Sequence, residues 1–170
     1  ILRENGLNTG LIQLGGEVSA FGTPPEKRPW KIGIQHPKDM DKIWGIIESH
    51  DEIRVSTSGN YRQPIIIQGH EFYHIIRPET GCPVSEKVLG VTTAVFGSGL
   101  SGALLDGSAT AITVLGAQQG LDLAEKLNIK ALVLNTGANG EIRQHLTRNF
   151  SGCISTENKD RRTLPGSPDL

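Results

Sequence analysis

Much that would mark a specialised chain is missing from these 170 residues. Cysteine occurs only at Cys82 and Cys153, far apart and without metal-type partner spacing. The pair therefore reads as two free thiols rather than a disulfide framework, and the redox compartment stays open. Charge of one sign is also lacking: the formal net charge is −1, and no dense lysine or arginine run occurs. Nothing electrostatic points to nucleic acid or to an anionic membrane surface, although phosphate could bind locally. No apolar run approaches a membrane span, no signal peptide opens the chain, and there is no internal repeat or coiled coil. Ile1-Leu2-Arg3-Glu4-Asn5-Gly6 reads as the last turn of a helix with an Asn-Gly stop, so the chain is expected to begin inside a longer sequence. A targeting segment could then lie upstream.

What is present suits one domain with a real core, at 36% hydrophobic and 21% charged residues. Leu7–Leu14 and Val18–Gly22 read as strands broken at Gly15-Gly16, and Trp30–Gln35 alternates apolar and polar like a half-buried strand. Ile43–Ile47, Ile53–Val55, Val88–Phe96 and Ala131–Leu134 are further strands. Ile65-Ile66-Ile67 rises to a turn at Gln68-Gly69-His70 and returns through Phe72 to Ile76, a hairpin with His74 on its second arm. Two helices follow Ser98. The first is capped by Ser101, carries Leu104, Leu105, Ser108, Ile112 and Leu115 on one stripe, and ends at Gly116; the second runs Gln118–Leu127. The fold class is α+β, a mostly antiparallel sheet packed with two or more helices. Residues 1–149 form the domain. Residues 150–170, where hydrophobic spacing vanishes, are expected to be a flexible tail.

Three polar clusters stand at ends of these elements: Ser56-Thr57-Ser58-Gly59, the stretch around His74, and Asp106-Gly107-Ser108-Ala109-Thr110. Asp106 and Thr110 are four apart on a helix and stack on one face, offering a carboxylate and a hydroxyl oxygen to one point. Hard oxygen donors suit magnesium or calcium. The competing reading is an aspartate placed for the helix dipole and a threonine bonded back into its own helix. His74 is either a strand histidine held in the sheet or an acid/base group beside phosphate, since imidazole titrates near neutrality. Ser56–Gly59 is either a turn or a set of hydroxyls and N–H groups that receive phosphate. Gly15-Gly16-Glu17 lacks the spacing of a dinucleotide fingerprint.

Taken in order, Leu14–Val18, Trp30–Gln35, Val55–Gly59, His74-Ile75-Ile76 with Pro78 and Thr80-Gly81, and Asp106–Ala111 followed by Val114-Leu115-Gly116 resemble the ApbE-like flavin transferase family. The resemblance spans about residues 1–135 and matches only the C-terminal half of such enzymes. It implies magnesium-dependent transfer of FMN from FAD to a Thr or Ser hydroxyl of an acceptor protein, with AMP released. By resemblance, Asp106 and Thr110 hold the metal, His74 and Asp106 are catalytic, and Ile75, Thr57 and Ser58 contact the FAD substrate. Arg77 and Glu79 reverse the charge order usual in that loop. The missing half would supply much of the FAD pocket and a further metal ligand, so completion by a homodimer partner or an absent N-terminal half is expected. The resemblance also makes a periplasmic or membrane-anchored parent plausible.

Two other functions fit the same residues: a non-catalytic flavin- or nucleotide-binding module, and a metal-dependent FAD pyrophosphatase that uses water as acceptor. Ser101-Gly102-Ala103 faintly resembles the small-residue stretch that receives FMN, but its place at a helix start argues against self-modification.

Overall fold

The computed structural model describes residues 1–24, 28–59, 65–68, 70–84, 87–97, 101–155 and 159–160. The chain opens with a 3₁₀ turn, Arg3–Asn5, closed by Gly6 at φ 82°, the left-handed stop expected of the Asn-Gly pair. β1 (Gly10–Leu14) and β2 (Glu17–Phe21) form a hairpin whose turn uses Gly15 at φ 58°. β3 (Trp30–Gln35) pairs with β4 (Lys42–Ser49), and β5 (Ile53–Gly59) returns to the first hairpin. A small ribbon, β6 (Ile65–Ile67) with β7 (His70–Phe72), precedes the long β8 (Val88–Phe96). Helix α1 (Gly102–Lys126), β9 (Lys130–Thr136), β10 (Ile142–Leu146), β11 (Ile154–Ser155) and β12 (Lys159–Asp160) complete the chain.

The strands make a six-stranded antiparallel sheet, β1-β2-β5-β8-β9-β10, and a smaller sheet in which β4 is flanked by β3 on one side and by β11 and β12 on the other. Period-two alternation gives the six-stranded sheet two buried faces. On one, Val91, Ala131 and Val133 meet Leu105, Ala109, Ile112 and Ala124 of α1. On the other, Val55, Leu132 and Leu134 meet Ile32, Ile34, Ile47 and Phe150. The result is three layers, helix on sheet on sheet, and each fully buried Ile or Leu contributes roughly 1.5–3 kcal/mol. Among the described residues no helix is long and apolar enough to cross a membrane. Cys82 and Cys153 are free.

The α+β class with antiparallel sheets is as expected, but the two expected helices are joined in one element. Among the described residues there is one long helical element, interrupted at Gly116, which takes φ 78° and ψ −179°. The chain bends there and resumes its helix, bringing Gly120 so close to Ile112 that an added Cβ would lie 2.6 Å from Ile112 Cγ2. Eight residues of straight helix would hold them about 12 Å apart. Gly116 thus ends the first helical segment, as expected, and the second starts directly after it within the same element. The buried stripe is Leu105, Ser108, Ala109, Ile112 and Thr113, while Leu104 and Leu115 are about 40% exposed.

Two other boundaries moved. β5 runs through Ser56–Gly59, because Thr93, Thr92, Val91 and Gly90 of β8 pair with all four. The expected tail at 150–170 starts with packed chain. Phe150 is fully buried, and β11 and β12 pair with β4 where Gly45 leaves room for Ile154. The rest of that stretch, 156–158 and 161–170, lies outside the described residues.

Candidate functional site

Because Ser56, Thr57 and Ser58 belong to a strand, their side chains alternate between its faces. Ser56 and Ser58 point to α1 and Thr57 points away, sharing a 3.0 Å hydroxyl contact with Thr92. On the helix side, Ser56 Oγ donates to Asp106 Oδ1 at 3.4 Å, and Ser58 Oγ lies 3.2 Å from Thr110 Oγ1. Thr110 Oγ1 also donates to the backbone carbonyl of Asp106 at 3.4 Å. The reading of Thr110 as bonded back into its helix is therefore present, and the same hydroxyl also meets Ser58. Underneath, the buried Thr93 hydroxyl donates to the Leu105 carbonyl at 3.0 Å, tying α1 to the sheet one residue before Asp106.

The helix begins where the sequence indicated. Ser101 is extended, at φ −73° and ψ 148°, and its hydroxyl accepts from Leu104 N at 3.2 Å. Asp106 lies beyond the first turn, so the dipole explanation for it is weak. Gly107 faces open space, whereas Ala109 is buried against the sheet and leaves no such room.

Glu17 joins this cluster, and the sequence reading passed over it. In β2 it stands opposite Ser56 of β5, whose hydroxyl reaches Asp106 Oδ1. Partial removal from water, and then the charge and hydrogen bond of Asp106, raise the Glu17 carboxyl above its ordinary range. The preceding turn fixes it there: Thr57 N donates to Gly16 O at 3.1 Å, and a Cβ on Gly16 would sit 2.7 Å from Thr57 O. Gly-Gly before an acidic residue was the available signal. Its partner, fifty residues further on at Ser56 and then Asp106, was not visible locally. Glu17 and Ser56 also line a cleft of about 100 Å³, walled by Ile12, Leu14, Gly102 and Leu105.

His74 is placed differently from expectation. Pairing of the ribbon stops at Phe72, and His74 is an exposed residue in the bend that follows. Among the described residues no hydrogen bond or ion pair joins it to Asp106 or Thr110. Beyond it the chain closes a small loop, in which Ile76 bridges Pro83, Gly81 N donates to Arg77 O at 2.8 Å, and Val84 N donates to Ile75 O at 2.9 Å. Ile75 is buried and its carbonyl is already engaged.

Among the described residues no three His, Cys, Asp or Glu side chains converge as a metal cluster. What converges is two carboxyl groups and the hydroxyls of Ser56, Ser58 and Thr110, a hard-oxygen set. Such donors suit magnesium or calcium better than a soft metal.

Known proteins share this arrangement of strands and helix. The chain is 30% identical over 155 residues to the FAD:protein FMN transferase of Vibrio cholerae, covering 91% of this chain and 45% of that protein. It is 30% identical to the protein of the same name from Klebsiella pneumoniae over 119 residues, 70% of this chain and 33% of that one. The crystal structure of the flavinyl transferase ApbE of Pseudomonas stutzeri, in its apo form, superposes with a TM-score of 0.70 at 31% identity, covering 89% of this chain and 45% of that chain. The chain thus spans less than half the length of these relatives. With a family profile matching residues 1–133, well over half of its length, this chain belongs to the ApbE family.

Proposed function

We propose that this chain carries the cation-binding end of an FAD:protein FMN transferase. The observation that supports the reading most is the meeting of Asp106 and Thr110 of α1 with Ser56 and Ser58 of β5, in a chain of this family. Asp106 and Thr110 would hold Mg²⁺, or Ca²⁺ in its place. A divalent ion there neutralises phosphate charge, which phosphoryl-type transfer needs more than covalent help from protein.

In the proposed reaction a Thr or Ser hydroxyl of an acceptor protein attacks the phosphorus on the FMN side of the FAD diphosphate. The new P–O ester forms, the P–O bond to the AMP portion breaks, and AMP leaves. His74 takes the hydroxyl proton, as a positioned imidazole base can. Ser58 orients phosphate oxygens from the strand, with the backbone near Ile75 bordering the flavin substrate. Because the chain spans less than half of its relatives, the remaining FAD contacts come from another polypeptide segment or a second copy.

The test is incubation with FAD, Mg²⁺ and an acceptor peptide bearing a Thr within small residues, with the complementing half of a relative supplied where the chain alone is silent. A flavin-fluorescent peptide and free AMP are expected, and Asp106→Ala should abolish both. FMN and AMP without labelled peptide would mean an FAD pyrophosphatase. FAD binding without turnover in either arrangement would mean a non-catalytic module.

A further inference from the structure

We propose that Glu17 is a second carboxylate of the cation site, facing the ion together with Asp106. The proposal rests on the reading of Asp106 and Thr110 as cation ligands and extends it to a different strand. Three observations carry it. The register of β2 on β5 sets Glu17 directly opposite Ser56, whose hydroxyl reaches the Asp106 carboxylate. Glu17 and Ser56 line one cleft with Leu105, the residue before Asp106. The position is also built rather than incidental, because the Gly16–Thr57 approach admits no side chain at residue 16 and leaves little freedom in where β2 starts.

Two carboxyls brought together on separate elements repel one another when ionised, and a divalent cation between them turns that repulsion into attraction. Together with the hydroxyl oxygens of Thr110 and Ser58, they make a hard-oxygen set from three elements, β2, β5 and α1. Asp106 and Thr110 alone would offer one charge to a doubly charged ion. Glu17 supplies the second.

Mn²⁺ binding to the whole 170-residue chain tests this without any turnover, followed by electron paramagnetic resonance or calorimetry. Relative to the unaltered chain, Glu17→Gln should weaken Mn²⁺ about 10- to 100-fold, the loss typical of a group that supports a metal site. Glu17→Asp, which keeps the charge on a shorter stem, should bind better than Glu17→Gln. Asp122→Asn, which removes one charge from the far part of α1, should bind as the unaltered chain does. The metal-free thermal midpoint of Glu17→Gln should be no lower than that of the unaltered chain, which a merely structural role would not give. Glu17→Gln binding within about twofold of the unaltered chain, while Asp106→Ala loses Mn²⁺, would overturn the role of Glu17 and leave the Asp106 reading standing. Full affinity in Asp106→Ala, or no uptake by the unaltered chain, would overturn both.

Discussion

Asp106 stands on a helix whose neighbours Leu105, Ala109 and Ile112 are at most 1% exposed, whereas His74 follows a ribbon whose three isoleucines, Ile65, Ile66 and Ile67, are 53–68% exposed. The first group is held by a buried hydroxyl bond from Thr93, a cap at Ser101 and the apolar floor of the central sheet. The second hangs from strands that, among the described residues, pair only with each other, anchored below by the buried Ile75 and Val84. On the proposed reading the site would be rigid where charge is placed and loosely held where an acid/base group reaches a substrate. Rigid supports give a site its geometry. Loosely packed segments open at little cost, and ligand-binding parts are drawn from them.

The largest expected effect would break this contrast if it failed. In the proposed transferase, His74→Ala should lower turnover about 10²- to 10⁴-fold, the usual worth of a positioned acid/base group, with Mn²⁺ affinity unchanged. Equal losses in affinity and turnover would place the imidazole at the cation and make the two regions one. Full turnover would remove His74 from the chemistry.

Stability sharpens the same contrast. Ile112→Ala empties a fully buried position beneath the cluster and should cost about 2–5 kcal/mol in denaturant unfolding. Ile66→Ala, on a residue 68% exposed, should stay within about 0.5 kcal/mol. A large loss at Ile66 would mean that the ribbon is covered in solution by something the isolated chain does not display, such as a second copy.

What the sequence made legible follows the same division. β3 and β8 have the residues that alternation and β-branching predicted, and Ser101 caps its helix as its type and place suggested. Those features depend on near neighbours in the chain. Ser56–Gly59 carries turn-like composition, yet β8 supplies a complete row of partners and draws it into the sheet. Gly116 has the conformation expected of a stop and ends the first helical segment, but that the second would fold back so that Gly120 meets Ile112 was not visible locally. Glu17 escaped for a related reason: its neighbour Asp106 arrives only through one strand pairing and a helix packing. Ile154 shows no hydrophobic period around it, and pairing to β4 over Gly45 together with packing against the core places it. Wherever tertiary partners overrule local preference, a short window is blind.

The smallest effect bears on a single strand. Ser58 and Thr57 are adjacent and were both expected at the phosphate, but alternation sends only Ser58 to α1, where its hydroxyl meets Thr110 at 3.2 Å. Thr57 spends its hydroxyl on Thr92, itself 2% exposed, on the opposite face. Removing the Ser58 hydroxyl should therefore weaken Mn²⁺ by the worth of one hydrogen bond, about 0.5–1.5 kcal/mol, while Thr57→Val should leave affinity alone and cost stability of similar size. Comparing the two variants in one titration and one unfolding series separates the faces. If Thr57→Val weakened the ion and Ser58→Ala did not, the strand would present its other side to the ligand. The cation would then have to lie away from Asp106, which stands on the Ser58 side.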